Sequence, residues 1–362
     1  MKAAILAESK QPLIVDDITL PDNLEFGQVL VDVHYSGICG AQINEIDAVK
    51  GPDRFLPHLL GHEGSGIVEE IGPGVTNVKP GDHVVLAWRS SCGLCEMCQY
   101  GWPVLCDRGP EVDGELKVTN TGTRVNQMAN LGTFGTYTVV PESAAVPIDK
   151  EIPFEQAALV GCGVATGVGS AINTAKVRAG STVAVFGCGG VGLNCIQGAN
   201  IAGATTIIAV DLLNDKLEMA KQFGATHVIN ASKENPVEII REFTNGEGVH
   251  YAFEAIGVAA LPMVQSVECT RKRGITVWVG APPSNMPVTL DARDLVLEKS
   301  IIGSYYGSSQ PHLDFSRILR LYKKGKLQLD QLISKTYPLE KINDAFEALS
   351  KGEVARSVII FD

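Results

Sequence analysis

Apolar and polar positions fall into two textures along this chain. From residue 1 to about residue 90, short β-type runs (29–34, 66–71 and 83–86) are punctuated by glycine and proline, with Lys79-Pro-Gly-Asp82 as a turn signal between two of them. That pattern predicts a small, mostly β barrel, with residues 1–8 supplying its first strand. From about residue 160 the texture changes. Apolar strand-like runs at 183–186, 206–210, 227–229, 251–253, 275–279 and 300–305 alternate with helical stretches. Alternation of this kind predicts an α/β architecture with a parallel, doubly wound sheet. Two further helical stretches (313–324 and 339–349) and a last strand (357–361) follow, and this tail is expected to return to the first domain. Repeats, low-complexity segments and long charge runs are absent from the sequence.

At 362 residues the chain exceeds one ordinary core, so two domains are expected. Apolar content of 45% and charged content of 20% are those of a compact soluble protein. A net charge of −11 argues against nucleic acid or an anionic membrane surface as the main partner. No apolar run approaches the roughly 20 residues needed to span a bilayer. The N-terminus lacks the layout of an export signal, so the expected compartment is the cytoplasm. Nine cysteines are an odd count in a large chain, and clustered cysteines in a reducing compartment are more often metal ligands than disulfides.

The most informative stretch is Val183-Ala-Val-Phe-Gly187-Cys188-Gly189-Gly190-Val191-Gly192, with Asp211 nineteen residues beyond its last glycine. A strand-like run meets Gly187-x-Gly189-x-x-Gly192, a helical pattern follows, and a second strand-like run ends in the acid. This is the arrangement that binds a dinucleotide. The first glycine permits the turn, the second lets backbone approach the pyrophosphate, and the third lets helix pack on strand. The helix N-terminus then faces the phosphate charge. Asp211 suits a ribose 2′-hydroxyl and would repel a 2′-phosphate, so NAD is expected rather than NADP.

Two metal sets stand out. Cys92, Cys95, Cys98 and Cys106 lie at spacings that let one loop wrap a tetrahedral Zn²⁺, and four thiolates leave no open position, so that zinc is expected to be structural. The second set is scattered: Cys39, His62 with Glu63, and Cys162, each flanked by glycine. A Cys₂His shell with one exchangeable position is a catalytic arrangement, in which the ion acts as a Lewis acid. Taken singly these residues say little, since a lone cysteine is more often a small buried hydrophobe and a lone histidine more often a hydrogen-bonded structural residue, but their flanking glycines favour close packing.

The sequence resembles the zinc-dependent medium-chain alcohol dehydrogenases, particularly the liver-type branch, over essentially its whole length. The likeness rests on Gly61-His-Glu-Gly64, the four-cysteine lobe, residues 161–167, the glycine loop with Asp211, and Gly352-Glu-Val-Ala-Arg356. It implies a GroES-like β-barrel catalytic domain over 1–163 with a structural zinc lobe at 92–106, a Rossmann NAD-binding domain over 164–305, and a segment 306–362 returning to the first domain. It implies two Zn²⁺ per chain: one held by Cys39, His62 and Cys162, with Glu63 as a transient fourth ligand, and one in the lobe. The activity implied is hydride transfer between nicotinamide and an alcohol or aldehyde (or ketone) carbon. By the same resemblance Lys216 sits on the adenosine ribose beside Asp211, and Arg356 meets the pyrophosphate. Val279 offers backbone to the carboxamide, and Thr166, Gly190 and Val191 lie along the cofactor. Trp88 takes the place of an aromatic lining the substrate slot, or equally of a barrel-core residue. The stretch 107–131 resembles an insertion that shapes the pocket. Residues 299–306 read as an edge strand, so a homodimer is expected, with a tetramer as the alternative.

One departure matters. Where the family usually has Ser or Thr, Asp and often His after the first zinc cysteine, this chain has Ala41, Gln42 and Asn44. Ala41 cannot exchange a proton and Asn44 does not titrate. Gln42 is expected to accept a bond from His62 through its amide oxygen. Gly40 replaces a basic residue often found there. The proton route is therefore rerouted through water, Glu45 or the cofactor hydroxyls, supplied by the substrate, or not needed. That leaves two alternatives beside alcohol oxidation: zinc-assisted reduction of an iminium or activated C=C bond, and a non-catalytic NAD-binding protein.

Overall fold

The computed structural model describes residues 1–49, 51, 53–109 and 114–361. It divides into two compact units: one comprises Met1–Cys162, Gln310–Gly325 and the chain from Leu329 onward, the other Gly163–Ser309 with Lys326–Gln328. These boundaries differ a little from those expected from sequence. Residues 306–309 go with the second unit because Gly307 packs so closely on Ala165 that an added Cβ would lie 2.3 Å from its carbonyl oxygen. Gln328 joins the same unit through its N–H, which donates to Gln197 Oε1 at 2.7 Å.

In the first unit the long strand Gln28–Ile38 is the axis. Its buried faces carry Val29, Val31 and Val33, and it pairs antiparallel with Gly64–Ile71, Tyr137–Pro141 and the C-terminal strand Arg356–Ile360. Arg356–Ile360 pairs in turn, in parallel, with Ile333–Pro338. A second, five-stranded sheet includes Lys2–Leu6 and Ile14–Thr19. It also takes in the two-residue strands Lys117–Val118 and Asn126–Gln127, which tie the stretch 107–131 to the sheet, with Leu116, Val118, Val125 and Leu131 buried. Residues 110–113 of that stretch lie outside the described residues.

In the second unit six parallel strands follow the order His227–Asn230, Thr206–Asp211, Thr182–Phe186, Val249–Glu254, Thr270–Trp278, Ser300–Gly303. Numbered along the chain, this is the 3-2-1-4-5-6 order of a doubly wound dinucleotide-binding sheet, whose ligand crevice lies at the carboxyl ends where the order reverses. Thr182–Phe186 sits at that switch point, fully apolar and buried from Val183 onward, as a strand covered on both faces must be.

One expectation from sequence needs correcting. The helical stretch Phe154–Thr174, of 21 residues, is apolar and long enough to cross a membrane by composition. Its glycines, serine, threonines and asparagine dilute the run when read letter by letter. In the fold 83% of its most apolar window is buried inside the protein.

Candidate functional site

Strand register assembles the first metal set. Ser36 pairs with Gly64, and the Gly37 N–H donates to Glu63 O at 2.7 Å, so the exit of one strand (Cys39) lies beside the entry of its neighbour (His62, Glu63). Ser357 pairs with Ile38, which brings Arg356 to the same corner. Cys162 arrives on a π-helical turn, Val160–Val164, a local widening often found at functional sites. The ligand atoms of Cys39, His62, Glu63 and Cys162 all lie within 4.8 Å of one another. All four residues are buried. The flanking glycines are what allow this approach. A Cβ on Gly37 would sit 2.2 Å from Glu63 Oε2, and one on Gly161 would sit 2.6 Å from Leu86 O.

The electrostatics of this cluster are those of a site built for a cation. Cys162 hydrogen-bonds Cys39 and draws the Cys39 pKa well down against the opposing effect of burial. The same contact, joined by burial, drives Cys162 well above the ordinary thiol value. Burial raises Glu63, opposed chiefly by Arg356, which ion-pairs with Glu63 Oε1. Two soft thiolates and an imidazole suit Zn²⁺, and the donor set fits it. The two thiolates would balance the ion while the guanidinium balances the carboxylate, so the buried cluster carries no net formal charge with a divalent ion in place.

Arg356 was expected on the pyrophosphate. In the fold it is 4% exposed, grips Glu63 and donates from Nη1 to Ile38 O at 3.1 Å, which uses only part of the five N–H groups of a guanidinium. Burial beside three acidic groups requires that engagement. Gln42 differs from expectation. Cys39 ends the strand and caps the helix Gly40–Ile46, and its N–H donates to Gln42 Oε1 at 2.7 Å. With the amide oxygen so occupied, it is the amide nitrogen that meets His62 Nδ1, at 3.0 Å. Nδ1 is then the acceptor and the ring proton lies on Nε2, the nitrogen left for the cluster. Ligation of a neutral imidazole through Nε2 would require its proton on Nδ1, where an acceptor would have to stand in place of the Gln42 amide nitrogen.

Ala41 and Asn44 are half-buried on the same short helix, and Gly40 has open space where a Cβ would point. Trp88 lies between the metal cluster and the barrel core. Its ring lies 6.0 Å from that of His62, and it packs against the core cluster that includes Val29 and Leu86.

The second metal set is equally compact. Tetrahedral Zn–S bonds of about 2.3 Å put sulfurs about 3.8 Å apart. Here Cys95 Sγ is 3.5 Å from Cys98 Sγ and 3.8 Å from Cys106 Sγ, and Cys106 Sγ is 3.6 Å from Cys92 Sγ. Backbone N–H groups of Leu94 and Cys95 donate to Cys92 Sγ, and those of Cys92 and Gly109 to Cys106 Sγ, at 3.3–3.4 Å. Burial pushes the Cys106 thiol up, but these donors outweigh it and bring it to about 6.

The glycine loop has the three properties that the spacing predicts. Gly187 has φ +91°, Gly189 has nothing within 4 Å of an added Cβ, and Gly192 would put one 1.7 Å from Gly187 O. Gly189 caps the helix Gly190–Ile201. Asp211 Oδ2 accepts the Cys188 N–H at 2.8 Å, and Oδ1 accepts those of Leu212 and Leu213, so the carboxylate is fixed beside the loop. Lys216 is half-buried on the helix Asn214–Gln222, with its charge felt at Cys188 as Asp211's is. Thr166 and Val191 lie on helices in backbone contact, since a Cβ on Gly167 would meet Val191 O at 2.4 Å.

Sequence reasoning missed Glu254. This fully buried carboxyl ends the strand Val249–Glu254. Its Oε1 accepts the N–H groups of Ile256 and Gly257, both at 2.9 Å, while its backbone oxygen accepts those of Val279 and Gly280. It therefore ties together the two loops that follow adjacent strands. The Val279 N–H is engaged there. An acid closing an apolar run (Tyr251-Ala-Phe-Glu254) with Gly257 after it was the available signal.

Comparison with known proteins decides the family. Residues 25–150 match the model described as alcohol dehydrogenase GroES-like domain, and residues 190–324 that described as zinc-binding dehydrogenase. Alcohol dehydrogenase B of Mycobacterium tuberculosis is 40% identical over 371 residues, covering 99% of this chain and 97% of that protein. The chain belongs to the zinc-dependent medium-chain alcohol dehydrogenase family. Two solved structures agree with this dehydrogenase throughout. The alcohol dehydrogenase zinc-binding domain protein from Burkholderia ambifaria superposes with TM-score 0.94 at 34% identity, over 100% of this chain and 98% of that one. Benzyl alcohol dehydrogenase from Acinetobacter calcoaceticus gives 0.91 at 35% identity, over 100% and 99%. The fold is a GroES-like domain with a Rossmann sheet, and the protein is an oxidoreductase of zinc-dependent type.

Proposed function

We propose that this dehydrogenase moves a hydride between NAD and the oxygen-bearing carbon of an alcohol or aldehyde (or ketone), with one catalytic and one structural zinc per chain. The observation that carries the reading is the convergence of Cys39, His62 and Cys162 on one buried point, with Glu63 drawn aside by Arg356. Cys39, His62 and Cys162 would hold the catalytic ion and leave a position for substrate oxygen, and Cys92, Cys95, Cys98 and Cys106 would hold the other. When bound, the zinc supplies Lewis acidity and the nicotinamide supplies the hydride site. The chain's own part is to bind and orient. Gly187, Gly189 and Gly192 open the turn for the pyrophosphate. Asp211, held by three N–H groups, presents a carboxylate that suits a ribose hydroxyl and opposes a 2′-phosphate. Glu63, gripped by Arg356, is the acceptor able to approach the ion when a ligand leaves.

Proton handling is where this chain differs. Ala41 and Asn44 supply no titrating group, so a proton from an alcohol must reach solvent through water, through cofactor hydroxyls or by way of Glu45, half-buried on the same helix. General acid–base help is worth about 10²–10⁴-fold, so its loss slows oxidation without removing metal or cofactor binding. The same feature favours a second reading, reduction of an iminium, where hydride addition alone completes the reaction, or of an activated C=C bond, where the carbanion left by hydride addition takes its proton from water.

Cysteines clustered to hold metal rather than paired as disulfides support a cytoplasmic location, and the strand Ser300–Gly303, paired on one side only among the described residues, supports a homodimer. Leu295, Val296 and Leu297 are exposed just before it, offering apolar area to a second copy. The deciding assay follows NADH formation across a panel of primary, secondary and aromatic alcohols, with NADP in parallel and with chelator. No turnover of any alcohol or aldehyde by protein of verified zinc content refutes the leading reading, and faster turnover with NADP refutes the cofactor.

A further inference from the structure

The parallel sheet has a second end. At the amino-terminal edge of its central strands a cavity of about 450 Å³ is lined by Arg178, Ser181, His250, Arg271, Lys272 and Arg273, with Tyr251 and Ile275 behind them. The glycine loop leaves the carboxyl end of Thr182–Phe186, and this cavity opens beside its start, five residues or about 16 Å away along the strand. It is therefore separate from the dinucleotide crevice.

The lining is cationic in a protein whose net charge is −11. Arg271 has Glu247 at 3.7 Å and Arg273 has Glu298 at 3.4 Å, but both carboxylates are 69% exposed and give weak, screened compensation. Among the described residues, Arg178 and Lys272 have no carboxylate within ion-pair reach.

His250 supplies the second observation. Its Nδ1 faces the Thr182 N–H at 3.1 Å, and its Nε2 faces Arg271 Nη1 at 2.9 Å. Both neighbours are donors only. A neutral imidazole has a single acceptor nitrogen, so one of these contacts sets donor against donor. Since the backbone amide cannot move, Nδ1 accepts from Thr182, and Nε2–H and the guanidinium both lack an acceptor between them. Burial, aided by Arg271, lowers the His250 pKa, which keeps the ring neutral at pH 7. An oxyanion seated between them would accept from both.

We infer that this cavity is a binding site for a phosphate group, held by Arg271 and His250 Nε2–H with Arg178 and Lys272 contributing charge. A planar guanidinium takes two oxygens of such a group at once, and the cavity is larger than inorganic phosphate requires, so it suits the phosphate ester of a small metabolite. Titration calorimetry of the zinc-loaded enzyme, with and without saturating NADH, tests this with inorganic phosphate and glucose 6-phosphate as probes. Binding in the presence of NADH is expected, weakened at least tenfold by Arg271→Gln and by Lys272→Gln, with turnover of alcohol unchanged. Tighter binding of the ester assigns a phosphorylated metabolite, and binding of phosphate alone assigns the free ion; either supports the site. Failure of both probes to bind wild-type enzyme overturns it, as does equal binding by wild type and the Arg271→Gln/Lys272→Gln double variant.

Discussion

Replacing Arg356 by methionine tests the electrostatic design of the metal cluster most directly. Arg356 is 4% exposed and Glu63 0%, so solvent discounts neither partner of their ion pair. Removing one member of a buried pair typically costs about 3–5 kcal/mol, because the other charge is left uncompensated. Here the cost has a ceiling, since Glu63 can take a proton. From its ordinary value of 4.5, neutralising it at pH 7 costs about 2.5 units at 1.36 kcal/mol each, or about 3.4 kcal/mol. The expected loss at pH 7 is therefore about 3 kcal/mol.

The ceiling falls with pH, which fixes the sign. Burial already raises Glu63, and Arg356 is the main influence holding it down, so its pKa in the folded variant rises further. A group raised on folding contributes stability that is present below its unfolded pKa and lost as pH rises through the folded one. The variant should thus approach wild type on acidification, with a deficit below about 1 kcal/mol at pH 5. Urea unfolding of zinc-loaded wild type, Arg356→Met, Glu63→Gln and the double variant at both pH values measures this, with the protonation of the zinc ligands common to all four. The double variant should recover most of the loss. A deficit that is the same at pH 5 and pH 7, or a double variant no better than Arg356→Met, would refute the reasoning.

Three further outcomes are expected. Ala41→Ser should raise kcat for alcohol oxidation by up to about 10²–10⁴-fold and leave any reductive activity on C=N or C=C bonds largely unchanged; no change in either removes the case for a missing relay. Gly192→Ala places a Cβ 1.7 Å from Gly187 O, so NADH titration should show binding lost while zinc content is retained; tight NADH binding would mean that the loop tolerates what the geometry forbids. Gln42→Asp supplies an acceptor to His62 Nδ1 in place of the amide nitrogen now 3.0 Å away, and catalytic zinc should resist chelator about 10–100-fold better. Equal zinc loss from both proteins would show that Gln42 does not govern the imidazole.

What the sequence revealed and what it hid follow from the range of the forces involved. The glycine loop was legible because each of its constraints is local: a positive φ at Gly187 and a helix seated on a strand at Gly192 follow from neighbours a few residues away. The four-cysteine lobe was legible for the same reason, as one short loop carries its whole geometry. The scattered set was different, since only strand register, Ser36 with Gly64 and Ile38 with Ser357, brings Cys39, His62 and Arg356 together, and register is a property of the sheet. Resemblance to a family supplied what spacing could not.

Where that resemblance and the structure part, the cause is competition for a single atom. Gln42 has one amide oxygen, and the Cys39 N–H that caps the helix takes it, so His62 meets the nitrogen instead. An aspartate has two oxygens and can serve both partners; a glutamine cannot. A neutral amide next to the imidazole thus sets the tautomer, and the Gln42→Asp variant measures what that does to the metal affinity. Departures from the family pattern at positions 41, 42 and 44 fall on one turn of one short helix, so the residues that bear on proton supply and on histidine orientation sit side by side in this chain.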